Sequence, residues 1–187
     1  MWHKNLICVL FLLALAACST KQAPAPVRTT PVSTSTSSAP AIINTAPEYN
    51  EAAYHRLTTH TQCVPYARDV SGVQIRGNAH TWWNQAKEKG HRCSTSVPTV
   101  GSVMVLSKTS RLKYGHLAVV KRVIDNRNIE VEHTNWGGSR ETRMIAYTRM
   151  PVVDSSKNND WSSARFWNYP SKSYGSVYKV SGFIYPK

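Results

Sequence analysis

Residues 100–133 read VGSVMVLSKTSRLKYGHLAVVKRVIDNRNIEVEH. Within them VGSVMVL (100–106), HLAVVKRV (116–123) and NIEVEH (128–133) are short runs rich in Val, Ile and Leu, separated by turn material such as Asp125-Asn126-Arg127-Asn128. That is the pattern of β-strands joined by short connections. Downstream, SVYKVSGFIY (176–185) repeats the theme and RMIAYTRM (143–150) is a weaker strand candidate. Before Pro98 the pattern is helical: 63–70 stops at Gly72 and 79–89 stops at Gly90, while 51–57 reads as a short turn. Helices gathered at one end and antiparallel strands at the other predict an α+β domain over residues 49–187, not alternating βαβ units.

Working outward toward the N-terminus, residues 19–47 are almost entirely Ser, Thr, Ala, Pro and Val, with no carboxylate before Glu48. Such a stretch cannot bury enough apolar surface to offset the entropy of ordering, so 18–48 is expected to be a disordered linker. The first residues read MWHKN, then LICVLFLLALAA, then Cys18. One basic residue before an apolar stretch of this length is the form of a secretory signal, and the stretch is too short to span a bilayer. Leu15-Ala16-Ala17-Cys18 resembles the lipobox of bacterial lipoproteins. The resemblance implies a signal peptide at 1–17, acyl chains on Cys18, and, since Ser19 rather than Asp follows, the periplasmic side of an outer membrane. Several acyl chains hold a soluble domain on a membrane without a spanning helix.

The chain of 187 residues carries 23 Lys and Arg against 10 Asp and Glu, a formal charge of +13. That balance first suggests a polyanionic partner. An exported protein rarely meets nucleic acid, so anionic envelope polymers and lipid head groups are the expected partners. Export also removes Cys8 with the signal and assigns Cys18 to the anchor, leaving Cys63 and Cys93 for chemistry.

Cys63 lies in HTQCVPYARDVSG (60–72), where polar loop gives way to helix. A thiol there is near the positive end of the helix dipole and the unpaired N–H groups of the first turn, which should lower its pKa and form an oxyanion hole. His116, in RLKYGHLAVV, begins an apolar strand and is the candidate base; Gly115 before it removes bulk where another group must approach. Alternation along NIEVEHTNWGG puts Val131, His133 and Asn135 on one face, and Glu130, Glu132 and Thr134 on the other. Either His133 or Glu132 could orient His116, and periodicity does not choose between them.

Gln62-Cys63, then Tyr114-Gly115-His116-Leu117-Ala118-Val119-Val120, then His133-Thr134-Asn135-Trp136 resemble, in that order, the CHAP family, the cysteine, histidine-dependent amidohydrolases and peptidases of the papain-like NlpC group. The similarity runs from about residue 60 to 136, and the terminal GFIYP also resembles members of the family. It implies a papain-like fold, N-terminal helices packed on an antiparallel β-sheet, and cleavage of peptidoglycan amide bonds with no metal or organic cofactor. The bond is either the one joining the sugar's lactyl group to L-Ala or one within the stem peptide. Many members carry Glu-x-Asn-Trp where this chain has His133, with Glu132 one residue off. The resemblance therefore carries the orienting role to His133, as in Cys-His-His relatives, with Glu132 as runner-up, and makes Asn135 the residue that polarises the site.

Other roles compete for these residues. Cys63 and Cys93 could form a disulfide, and His55, His60, Cys63, His91 and Cys93 could in principle hold zinc, although none has the spacing of a zinc motif. Trp82, Trp83, Trp136, Trp161 and Trp167 suit either core packing or stacking on glycan. The alternative from another class is a wall-binding or scaffold lipoprotein without catalysis.

Overall fold

The computed structural model describes residues 53–187. The expected signal, Cys18 and the linker fall outside the described residues. In chain order the elements are β1 (Tyr54–Arg56), α1 (Cys63–Ser71), a 3₁₀ turn (Ala79–Thr81) running into α2 (Trp82–Glu88), β2 (Cys93–Ser94), β3 (Val103–Leu106), β4 (His116–Val123), β5 (Asn128–Thr134), α3 (Arg140–Arg143), β6 (Ile145–Asp154), β7 (Ser163–Asn168) and β8 (Ser173–Ile184).

All strand pairings are antiparallel, in the order β1-β6-β5-β4-β3-β8-β2. Strand β7 pairs with both β6 and β8, so the path β3-β4-β5-β6-β7-β8 returns on itself as a barrel wall. The two long strands make this closure possible. β6 gives residues 145–147 to β1 and 152–154 to β7, and β8 gives its first half to β7 and its second to β3 and β2. The expected α+β arrangement therefore takes the form of a largely antiparallel, closing sheet with few helices.

Residues alternate across the wall. Met104, Leu106, Ala118, Val120, Ile129 and Val131 join the core inside the barrel. Val103, Val105, Leu117 and Val119 join a second core under α1 and α2, with Ala67, Ile75 and Trp82. β3 and the first half of β4 are thus covered on both faces, which is why they read as unbroken apolar runs. Of the tryptophans, Trp82, Trp161 and Trp167 are buried; Trp83 packs against the backbone of Gly182.

Three expectations change. Residues 54–56 are not a turn but a strand, because they pair with Ile145–Tyr147 at the edge of β6. The second helix begins with a 3₁₀ turn, in which the Thr81 hydroxyl and amide both bond to the Asn78 carbonyl, before α2 proper. β7 has no counterpart among the expected strands; it follows a connection in which the Asp154 carboxylate accepts from the amides of Ser156 and Trp161 and organises the backbone.

Candidate active site

α1 starts at Cys63 because Gln62 is extended (φ −72°, ψ 153°) and Pro65 falls in the first turn, where a missing N–H costs nothing. Gly72 ends it in the left-handed conformation (φ 74°), its N–H bonding to the Arg68 carbonyl. Cys63 is the first helical residue and only 8% exposed. Burial pushes the thiol pKa up, while hydrogen bonds from the backbone of Leu117, Cys63 and Val64 pull the other way. The expectation of a lowered pKa is therefore reversed, since desolvation outweighs the helix-terminal groups. Leu117 follows His116, so the sulfur lies at the beginning of β4.

Gly115 fixes where β4 begins. It sits at φ +72°, and a Cβ there would be 2.6 Å from the Leu106 carbonyl oxygen and 2.7 Å from the His80 nitrogen. The His80 amide donates to the Tyr114 carbonyl at 3.0 Å. The close approach expected at this glycine is that of the 3₁₀ turn, which locks the entry to His116.

His116 Nε2 lies 2.8 Å from His133 Nδ1, both rings buried. His133 Nε2 lies in turn 3.2 Å from the Met150 sulfur. A thioether only accepts, so His133 carries its proton on Nε2 and presents a bare Nδ1 to His116. His116 then donates from Nε2, which leaves its Nδ1 as the unprotonated nitrogen, the state a general base requires. Aromatic rings enclose the pair: Trp136 is 4.6 Å from His116, and Tyr147 and Phe166 are 5.3 and 5.6 Å from His133, centroid to centroid. Desolvation lowers His116 to about 3; it lowers His133 well below the usual histidine range, with the neighbouring His116 adding to the effect.

Glu132 points to the other side of the wall. It accepts from the Tyr66 hydroxyl at 3.3 Å and from Lys121 at 3.2 Å. Asn135, at φ +55°, meets neither imidazole by hydrogen bond; its amide donates to Gln62 Oε1 and its carbonyl accepts from His60 Nε2 at 3.0 Å. It ties the segment before Cys63 to the end of β5. Cys63, His116, Asn135, Gln62 and Trp136 line one cleft of about 890 Å³. Cys63 and Cys93 are both free thiols, and among the described residues no three His, Cys, Asp or Glu side chains are grouped to hold a metal ion.

Residues 52–135 match the CHAP domain. The match takes in Cys63, His116, His133 and Asn135. Staphylococcal secretory antigen ssaA2 of Staphylococcus aureus (strain MRSA252) is 34% identical over 84 residues, which are 43% of this chain and 30% of that protein, so the chain spans less than a third of the relative's length. Two crystal structures are also similar. One is N-acetylmuramoyl-L-alanine amidase from Staphylococcus aureus (21% identity, 65% of this chain, 30% of that chain, TM-score 0.38). The other is Ly7917 (19% identity, 67% and 53%, TM-score 0.39).

The site extends beyond the CHAP match. Met150 and Phe166 belong to β6 and β7, and they complete the surroundings of His133 from the far side of the barrel. Met150 escapes a reading of the sequence because a methionine in a weak strand carries no polar signal. The signal that points to it is indirect: a buried His133 needs an acceptor, and the register pairs Val131, two residues away, with Met150.

Proposed function

We propose that this protein is a peptidoglycan hydrolase in which Cys63 is the nucleophile, His116 the general base and acid, and His133 the group that orients His116. The observation that carries it is the buried 2.8 Å contact between His116 Nε2 and His133 Nδ1, at the edge of the cleft that Cys63 also lines. The CHAP match supports the assignment. So does the export signal, since the wall lies outside the cytoplasm. LAAC at 15–18 supports lipid anchoring through Cys18, at the periplasmic face of an outer membrane.

Burial raises the thiol and lowers the imidazole, so the resting pair is neutral. On substrate binding the sulfur attacks the amide carbonyl carbon as its proton passes to His116 Nδ1. The carbonyl oxygen takes the negative charge, within reach of the first-turn N–H groups of α1. As the C–N bond breaks, His116 returns the proton to the leaving amine and a thioester remains on Cys63. Water then attacks the thioester, giving its proton to His116, and a carboxylic acid departs as the thiol is restored. The imidazolium that forms transiently keeps its Nε2–H directed at His133, whose Nδ1 accepts it.

Incubating the purified mature protein with peptidoglycan sacculi and weighing the released fragments by mass spectrometry tests the assignment. Cys63→Ala should abolish release, with a loss of at least about 10³-fold, and a chelator should leave it unchanged. No fragments from the intact protein would indicate a binding module instead. The fragment masses also distinguish the lactyl–L-Ala bond from a stem-peptide bond.

A further inference from the structure

The charges around the cleft are arranged in one sense. Arg111, Lys113 and Arg143 line the cleft of Cys63 and His116, and Arg140 and Arg143 line a side cavity of about 710 Å³; among the described residues no Asp or Glu lines either. Gln62, Tyr114, Asn135 and Arg143 are common to both, so the two spaces meet at the bonded Gln62–Asn135 pair beside Cys63. The ion pairs among the described residues lie elsewhere, joining Glu132 to Lys121 and Glu130 to Arg122 and Arg149.

The cations at the cleft are not equivalent. Lys113 and Arg111 lie over the rings of Tyr114 and Tyr178. Arg140 lines a small surface pocket together with Arg56 and Glu141 and so has a carboxylate nearby. Arg143 is a guanidinium with no ion pair among the described residues, at the junction of the two cavities. Its backbone is held firmly. Ser139 and Thr142 form a reciprocal capping box, Gly137 packs at φ +111° against Thr142, and the Met144 carbonyl accepts from the Leu57 amide. A planar fork of donors rising from an anchored backbone suits the reception of a carboxylate.

We propose that Arg143 is a carboxylate-binding subsite, and that its occupant is the free main-chain carboxylate of an acidic residue in the stem peptide, close to the amide presented to Cys63. The subsite presupposes the hydrolase reading for its biological role, but binding does not require turnover. A substrate amide seated at Cys63 that runs past Gln62 and Asn135 toward the side cavity meets Arg143 first, since Arg143 lines both spaces and Arg140 only the second. Arg143 thus gives the overall positive charge one local, stereochemically defined task, and makes the enzyme selective for stem peptides that keep this carboxylate over those in which it is a carboxamide.

The test uses the mature Cys63→Ala chain, so that nothing is consumed, and two probes: N-acetylmuramyl-L-Ala-γ-D-Glu-L-Lys amide and its counterpart with the α-carboxylate of D-Glu converted to a carboxamide. Affinity is read by calorimetry. The carboxylate probe should bind about tenfold more tightly, a preference that Arg143→Gln removes by weakening that probe alone, and Arg143→Lys should restore part of it. Lys157→Gln removes the same charge at an exposed position lining neither cavity and should change neither affinity. Equal binding of the two probes, equal weakening of both by Arg143→Gln, or an effect of Lys157→Gln as large as that of Arg143→Gln would overturn the subsite. Fragment release from sacculi by the unsubstituted chain is measured in parallel. Carboxylate selectivity without fragment release leaves the subsite standing and removes the hydrolase reading. Fragment release without selectivity does the opposite.

Discussion

Glu132 and His133 are successive residues of β5, and they face opposite sides of the barrel wall. Outside, Glu132 meets Lys121 and Tyr66, and Glu130 meets Arg122 and Arg149. Inside, His133 meets His116, a thioether and three aromatic rings. The outer face keeps its charges by supplying opposite ones at the solvent boundary. Among the described residues the inner face brings no counter-charge to the two imidazoles, and burial favours their neutral forms. One strand thus separates charge used for holding the wall together from a buried pair of uncharged imidazoles, and only the inner residue contacts His116.

The sharpest way to break this contrast is to remove each residue in turn. His133→Ala should lower kcat on sacculi by about 10²-fold or more, as expected for loss of the group that fixes a general base. Glu132→Gln should change kcat by less than about threefold while costing about 1 kcal/mol or less of stability, because its partner Lys121 is half exposed. Turnover falling more for Glu132→Gln than for His133→Ala would reverse the division of labour.

The second contrast concerns acid. His116 has a folded-state pKa of about 3, below its value in an unfolded chain. The unfolded state therefore binds the proton first, and stability present at neutral pH is lost as pH falls from about 6.5 toward 3. At pH 5 the loss from His116 alone is about 2 kcal/mol, and His133, shifted in the same direction, adds to it. Urea midpoints measured at pH 7 and pH 5 should fall steeply for the intact protein and much less for a His116→Gln, His133→Gln double variant. Equal falls in the two would place the acid sensitivity elsewhere, among the outer carboxylates.

The two sides of the wall are not equally legible in the sequence. Runs 103–106 and 116–123 are apolar through their covered lengths, so β3 and β4 stand out, and β4 spans the same residues in the structure as in the pattern. Cys63 at a helix start and His116 after a glycine are visible because helix termini and strand mouths have local residue signatures. Alternation alone leaves Glu132 and His133 level, because it assigns faces without saying which face meets His116. Closure of the barrel is hidden for a different reason. β7 is six residues long and includes Arg165 and Asn168, and its pairing partners are the ends of two strands whose lengths depend on that pairing. The direction of the Cys63 shift is also hidden, since the helix dipole is local to the sequence whereas burial comes from elements that pack over it.

Met150 is the smallest and most specific handle on the inner face. Its sulfur is the only partner that a hydrogen bond gives His133 Nε2 among the described residues, and a thioether is a weak acceptor. Losing it should not abolish the His116–His133 contact, but should let His133 adopt the other tautomer, in which Nδ1–H points at His116 and forces His116 to accept on Nε2. In that state the proton of His116 moves to Nδ1, the nitrogen to which the proposed mechanism delivers the thiol proton, and that nitrogen can no longer take one. Met150→Leu nearly conserves volume, so packing changes little. The expected result is a fall in kcat of about fivefold with KM unchanged, and ¹⁵N shifts of the two imidazoles that report mixed tautomers in place of one. A fall in melting temperature with unchanged tautomer signals would reduce Met150 to a packing residue and leave the orientation of His133 to the surrounding rings.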